Sequence, residues 1–460
     1  MSKSSNPQKV RNVVPLKPNE VFSAIRPIEH LPMSAISLPR RMLRAYSEVN
    51  KKQFARCLEI FGFVTPIVVD AAGTVVAGLN WYLAAVHLEI PVVPIIRVTH
   101  LSPAQLEAYR IAEQRLNELS PWDEQALAET FQELSNLNLG FSLEVTGFSM
   151  GEIDFRIENL PANKAKSDDP IDEIPPISAK PVTAIGDLWL TGEHRILCGN
   201  ALDTTSHRAL MAGVRARAVI TDPPYNVRVQ GHVSGKGCVR HREFAMASGE
   251  MSDDQFSDFL TLYLLSGIKH LTPGALLYVF MDWRHSGVLQ AAAATVGLTL
   301  KNICVWVKSN AGMGSLYRSQ HELVFVFKHG DAPHRNNVEL GRHGRSRTNV
   351  WEYPGCTSFE RNGEEGNLLT FHPTVKPVQL LADAILDCTD RNDIVLDNFL
   401  GSGSTLLAAE RVGRRLYGME IDPLYVDVAI RRWQRHTGAD AVHAVTGRTF
   451  DETARESGSV

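Results

Sequence analysis

The chain has 460 residues, enough for two domains, and its 44% hydrophobic and 21% charged content is that of an ordinary globular protein. A net charge of −4 excludes a uniformly basic surface and leaves local patches as the route to any polyanion. Six scattered cysteines without a C-x-x-C pair argue against zinc, so no metal site is assigned, and they read as reduced thiols. Met1 to Val14 lacks an apolar leader core, and no apolar run reaches a membrane-spanning length of about 18 residues, so a cytoplasmic protein without membrane contact is expected.

Residues 1 to about 24 are polar and read as loose. Residues 25–110 read as a small α/β unit. Strands are predicted at Ile25–Leu31, Thr65–Val69, Thr74–Ala77 and Pro91–Val98. Helices are predicted at Arg44–Phe61, which stops at Gly62, and at Asn80–Leu88. The phrase Phe61-Gly-Phe-Val-Thr-Pro-Ile-Val-Val-Asp70, followed by Val75-Val-Ala-Gly78 and Val92-Val-Pro94, resembles the N-terminal domain of ParB and sulfiredoxin-like proteins. That family carries a His or Glu and then an Arg after the glycine, facing a nucleotide phosphate. Here the residues are Leu79-Asn80-Trp81-Tyr82, so the resemblance implies a retained fold used for docking or DNA positioning. Trp81 and Tyr82 read as core or interface aromatics.

Residues 111–160 read as a helical extension. Ser102 is a plausible N-cap for one helix, and Ser120 with Pro121 is expected to open the next. Residues 161–180 carry prolines and acidic clusters without periodicity and read as a linker. A second domain is expected over 181–437. Gly186 to Gly199 reads as a hairpin, 204–213 as a short helix, and Ala216–Ile220 as a buried strand. Asp253–Leu271 is an amphipathic helix, and Leu276–Met281, Ile303–Val307 and Leu323–Phe327 are further strands.

Two stretches of this second domain carry chemistry. The strand at Ala216–Ile220 runs into Asp222-Pro223-Pro224-Tyr225. Two prolines supply no N–H and hold a stiff turn at a strand's carboxyl end, where open α/β sheets bind ligands. The turn offers a carboxylate, free carbonyls and an aromatic ring. Such a set can accept hydrogen bonds from an exocyclic amine while the ring stacks on a base. The second stretch, Asp397-Asn-Phe399-Leu-Gly401-Ser-Gly403-Ser-Thr405, follows Ile394-Val-Leu396 and leads into a helix. Its glycines let backbone approach a ligand at a helix N-terminus. A further strand, Arg415–Met419, ends at Glu420, about twenty residues on, where nucleotide-type folds place a carboxylate for ribose hydroxyls.

Together with His372-Pro-Thr374-Val-Lys376-Pro377, these motifs resemble D-P-P-Y, D-x-F-x-G-x-G and H-P-T-x-K-P of the DNA amino-methyltransferases, in the order of the β class. The resemblance covers residues 182–437. It implies an α/β, Rossmann-like domain dependent on S-adenosylmethionine, preceded by the ParB-like domain. It implies methylation of adenine N6 in a base flipped out of double-stranded DNA and, as often in this class, a homodimer. Asp222, Pro223, Pro224 and Tyr225 would be catalytic. Asn200, Thr374, Lys376, Asp397, Phe399, Gly401, Gly403 and Glu420 would hold the cofactor, with Thr374 and Lys376 near its carboxylate. Asn200 stands where the family has Asp, and Asn398 replaces the usual Pro, which bears on how the turn is kept rigid.

Basic segments supply candidate DNA contacts. Lys236, Arg240 and Arg242 lie in a glycine-rich loop after Tyr225. Arg342, Arg345 and Arg347 precede Trp351, where the family places its target-recognising segment. The rival readings are methylation of cytosine N4, modification of a protein glutamine, or a non-enzymatic ParB-like adaptor. Intact Asp222, Tyr225, Gly401, Gly403 and Glu420 argue against the adaptor.

Overall fold

A computed structural model describes residues 27–137, 139–160, 170–172, 175, 180–227, 249–309, 316–338, 347–354 and 375–457. The chain divides into two compact units, residues 1–127 with 139–148, and residues 128–138 with 149–460.

The first unit contains β1 (Ile28–Pro32), α1 (Glu48–Phe61), β2 (Ile67–Val69), β3 (Val75–Ala77), α2 (Leu79–His87), β4 (Val92–Arg97) and α3 (Pro103–Glu118). Its sheet runs β1-β4-β2-β3, with β2 and β4 parallel and the outer pairs antiparallel. Ile67, Val69, Val93 and Ile95 alternate inward against Leu58 and Ala84. Trp81 packs edge-on to Phe54 at 5.0 Å and Tyr82 lies against the same core, as core aromatics should. Ser102 caps α3 in a full capping box with Gln105. The next helix, α4 (Glu124–Ser135), starts later than Ser120-Pro121 suggested. Asp123, not Ser120, accepts the first N–H groups, those of Gln125 and Ala126.

The second unit begins with α5 (Met150–Glu158) and continues through β5 (Leu188–Thr191), β6 (His194–Cys198), α6 (Thr204–Met211), β7 (Ala216–Thr221), α7 (Asp253–Ile268), β8 (Leu271–Met281) and α8 (Ser286–Thr295). Then follow β9 (Leu298–Val307), β10 (His321–His329), β11 (Val350–Glu352), α9 (Val378–Cys388), β12 (Ile394–Asp397), α10 (Ser404–Arg411), β13 (Arg415–Glu420), α11 (Pro423–Thr437), β14 (Val442–His443) and α12 (Phe450–Ser457). Its ten-stranded sheet has the order β11-β9-β10-β8-β7-β12-β13-β6-β5-β14. The central strands β8, β7, β12, β13 and β6 are parallel. They are buried on both faces and so read as apolar runs rather than alternating ones. Leu276, Tyr278 and Phe280 face one layer of helices, where Leu381, Leu406 and Ile430 lie. Leu277, Val279 and Met281 face the other, with Phe256, Leu289 and Leu210.

Two expected limits move. The sheet does not stop at residue 437, because β14 pairs with β5 and Phe450 packs on Trp189 at 5.3 Å. The described part of the expected linker is pinned to this unit. The Asp172 carboxylate accepts the Val378 N–H at 2.9 Å, and the Ile171 carbonyl accepts from Arg432.

Candidate active site

The chain leaves β7 toward β8 on one side and leaves β12 toward β13 on the other. The carboxyl ends of β7 and β12 are therefore a topological switch point, where a crevice opens outside the sheet. Asp222 follows β7 and Phe399 to Gly403 follow β12, so both singled-out stretches meet at this edge.

Asn226 ends the proline turn at φ +53, a left-handed conformation that asparagine tolerates better than most residues. Its side chain donates to the Met251 carbonyl and accepts from the Gly249 and Met251 N–H groups. That clasp ties the turn to the start of α7.

Behind the turn lies an ion cluster. Lys376 pairs with Asp222 and lies 3.2 Å from Glu322, and its side chain is only 5% exposed. Lys308 reaches the other oxygen of Glu322 at 2.5 Å. The Tyr225 hydroxyl donates to Asp222 at 2.5 Å and lies 3.4 Å from Glu322. The sheet explains the meeting. β10 is antiparallel to β8 and β9, so Glu322 at its start and Lys308 just past the end of β9 reach the edge where β7 ends. Burial pushes the Asp222 carboxyl up, against the pull of Lys376, and Glu322 adds to the rise. Burial would raise Glu322 too, but Lys376 and Lys308 outweigh it and hold it at about 2. The Tyr225 hydroxyl is pushed up by burial and both carboxylates, so it remains a donor.

In the second stretch, Asp397 accepts the Phe399 N–H at 3.1 Å, and burial pushes its carboxyl up to about 6. Phe399 packs edge-on to Tyr263 at 5.2 Å. Gly401 sits at φ +55 and donates to Glu420 at 2.8 Å. Gly403 sits at φ +86, and a Cβ there would lie 2.7 Å from the Ala429 Cβ of α11. Its missing side chain lets the turn pack closely on that helix. Arg432, buried in the same helix, donates to the Ser402 carbonyl at 2.8 Å and braces the turn from beneath. Asn398 is buried against His207 Nε2 at 3.3 Å, so contacts with α6 pin the turn where the family has a proline.

Residues 216–431 match the sequence model of a family described as DNA methylase. The chain carries a DNA methylase domain. Residues 125–185 match a second model, the ParB-methyltransferase HTH domain, which spans most of the expected helical extension and the linker. Similar proteins include the type II methyltransferase M.HpaI of Haemophilus parainfluenzae, 24% identical over 258 residues, 52% of this chain and 74% of that protein. The type II methyltransferase M.HinfI of Haemophilus influenzae is 27% identical over 234 residues, 46% of this chain and 62% of that protein. A crystal structure of an M1.HpyAVI–SAM complex is 21% identical, with a TM-score of 0.38, over 52% of this chain and 97% of that one.

Within the methylase domain, the sequence-derived residues divide three ways. Asp222, Pro223, Pro224, Tyr225, Asp397, Phe399, Gly401 and Glu420 line the switch point. Asn200 joins them, because β6 is parallel to β13 and Cys198 lies opposite Glu420. Two residues are held by carboxylates. Lys376, expected near the donor's carboxylate, pairs with Asp222 and Glu322. Arg347, expected at DNA, is not offered to it. Its guanidinium lies 2.9 Å from Asp387 and 3.3 Å from Asp383 and covers Trp351, itself buried against Tyr278. Thr374, Lys236, Arg240, Arg242, Arg342 and Arg345 lie outside the described residues.

Glu322 and Lys308 were missed. Each reads as an ordinary polar residue at a strand end. The register of β10 on β8, beside β7, brings Glu322 to Asp222, and the β9-β10 pairing brings Lys308 to Glu322. No described helix is long and apolar enough to cross a membrane.

Proposed function

We propose that the chain methylates the exocyclic N6 of adenine in double-stranded DNA, in the cytoplasm and as a homodimer, with S-adenosylmethionine as donor. The observation that carries this reading is the pairing, at one switch point, of the Asp222–Tyr225 turn with a glycine turn backed by the half-buried Glu420.

The residues fit such a donor. Glu420 accepts the Gly401 N–H on one oxygen and the Asp422 N–H on the other, with the Ile421 N–H adding to them, and a carboxylate's four lone pairs leave acceptor capacity for a ribose hydroxyl. Asn200, Phe399 and the backbone at Gly401 complete the pocket. When bound, S-adenosylmethionine supplies an electrophilic methyl group. The protein's own work is to place the amine and to favour the charge that develops on it. An exocyclic amine is a weak nucleophile because its lone pair is delocalised into the ring. Asp222 and the Pro223 carbonyl accept its two N–H bonds, which draws that lone pair out of the ring. Tyr225 stacks on the extruded base, and the amine proton lost on forming the N–methyl bond passes to solvent. Adenine rather than cytosine rests on aspartate at position 222.

The test is methylation of DNA free of host modification with labelled donor, followed by nucleoside analysis. N6-methyladenine is the expected product. N4-methylcytosine would overturn the base assignment, and unlabelled DNA would overturn the substrate.

Glu420 gives a pH dependence that can be measured separately. Burial pushes its carboxyl up to about 7, against the N–H groups of Asp422 and Gly401. The group accepts best when ionised, so donor affinity is expected to fall by about tenfold between about pH 8 and about pH 6. Glu420→Gln should be weaker and flat over that range. Calorimetric titration across it decides, and a pH-independent wild type would remove Glu420 from the pocket.

A further inference from the structure

We propose that Lys376 and Glu322 are positioning residues that act in opposition on Asp222, the lysine keeping it an acceptor and the glutamate tempering that hold so that the carboxylate can be handed to the target amine. The inference rests on the functional reading above and concerns two residues which that reading leaves without a role.

The geometry carries it. Before any base arrives, both Asp222 oxygens are engaged, Oδ1 by the Tyr225 hydroxyl and Oδ2 by Lys376. An incoming amine must displace at least one of them. Lys376 is 5% exposed, so its ammonium cannot simply turn to water. Glu322 stands 3.2 Å from it and is the alternative partner. Lys308 holds the far oxygen of Glu322, so that carboxylate is fixed in place to receive the ammonium. The same Glu322 oxygen lies 3.4 Å from the Tyr225 hydroxyl and can receive that donor too. Without Glu322, a buried ammonium would have Asp222 as its remaining carboxylate partner, and releasing it would leave an unpaired charge in a dry site.

The charged and titratable groups around Asp222 come from every neighbouring element. They are Lys376 before α9, Glu322 on β10 with Lys308 behind it, Tyr225 on its own turn, Asp282 just past β8, which acts on Tyr225, and Asp397 at the end of β12. Among them Lys376 favours the ionised form of Asp222, whereas Glu322 opposes it. The two substitutions should therefore act with opposite sign, which a merely structural role would not produce.

The experiment measures single-turnover methylation of DNA by the full chain across pH. In Lys376→Met, Asp222 loses its cation, so the acid limb of the profile should move to higher pH. In Glu322→Gln, Asp222 loses a like charge, so the limb should move to lower pH. At high pH, Glu322→Gln should still be slower than wild type by at least about tenfold, because the ammonium is released less readily. Lys376→Arg should restore the limb toward wild type. Limbs that move the same way, or stay, in active variants overturn the inference while leaving the functional reading intact. A wild type that methylates no DNA overturns both. Should Lys376→Met not fold, Glu322→Gln decides alone, and a limb that stays or moves to higher pH sinks the proposal.

Discussion

Replacing Asp222 by alanine is expected to lower the single-turnover rate of DNA methylation by about 10²–10³-fold, the usual cost of removing one preorganised group from a developing charge. Donor affinity should be unchanged, because Asp222 follows β7 whereas the donor pocket is built on β12, β13 and β6. The fold should survive as well. Lys376 keeps Glu322 as a partner, so no ammonium is stranded in the interior. Asp222→Asn retains one acceptor oxygen without its charge and should fall between wild type and alanine. Rapid-quench methylation with calorimetry on the same samples separates the two effects. An alanine variant within about threefold of wild type would remove Asp222 from the chemistry.

Asp154→Ala is expected to destabilise the second unit by about 3–5 kcal/mol, the cost of breaking a buried pair from one side. Asp154 is 1% exposed on α5, and both its oxygens face Arg414, itself fully buried, at 3.2 and 2.6 Å. Arg391 adds a second guanidinium at 3.2 Å. Alanine leaves two cations with a shared partner gone. Arg414 would retain only neutral acceptors, the Thr389 and Val412 carbonyls and the Thr389 hydroxyl. Chemical denaturation followed by tryptophan fluorescence reads the loss, because Trp189 and Trp433 lie in the affected core. A loss below about 1 kcal/mol would mean the pair is replaced by water at little cost. Activity at saturating substrate should be less affected than stability, since Asp154 touches neither singled-out stretch.

Much of the site was legible because its parts are local. A strand followed by two prolines, or a strand, glycine turn and helix, declares itself within ten residues. Order along the chain then places an acid at the end of the next strand. The strands of the first unit were legible for the same reason, since short apolar runs between glycines leave few alternatives. The ion cluster was not legible, because Glu322 and Lys308 owe their place to the register of β10 between β8 and β9, a tertiary fact. Arg347 misled for a related reason. A run of arginines beside a tryptophan looks like a contact surface until α9 is seen to present Asp383 and Asp387 to it. At Gly403 a packing demand was not legible, because the Ala429 contact comes from a helix beyond the motif.

The order of strands in the large sheet also says when the active site can come into existence. The Leu416 N–H bonds to His194 across 222 residues of sequence. On the ribosome, the half-sheet ending at β7 must therefore wait, with one side of its central strand unpaired, until β12 and β13 emerge. Such long-range pairings are slow to form because loop closure precedes any contact energy. In the interval the open edge is a target for other chains and for chaperones. The two halves of the crevice have no partial version: carboxylate and glycine turn are completed together, so a nascent chain cannot act on DNA before β13 has emerged.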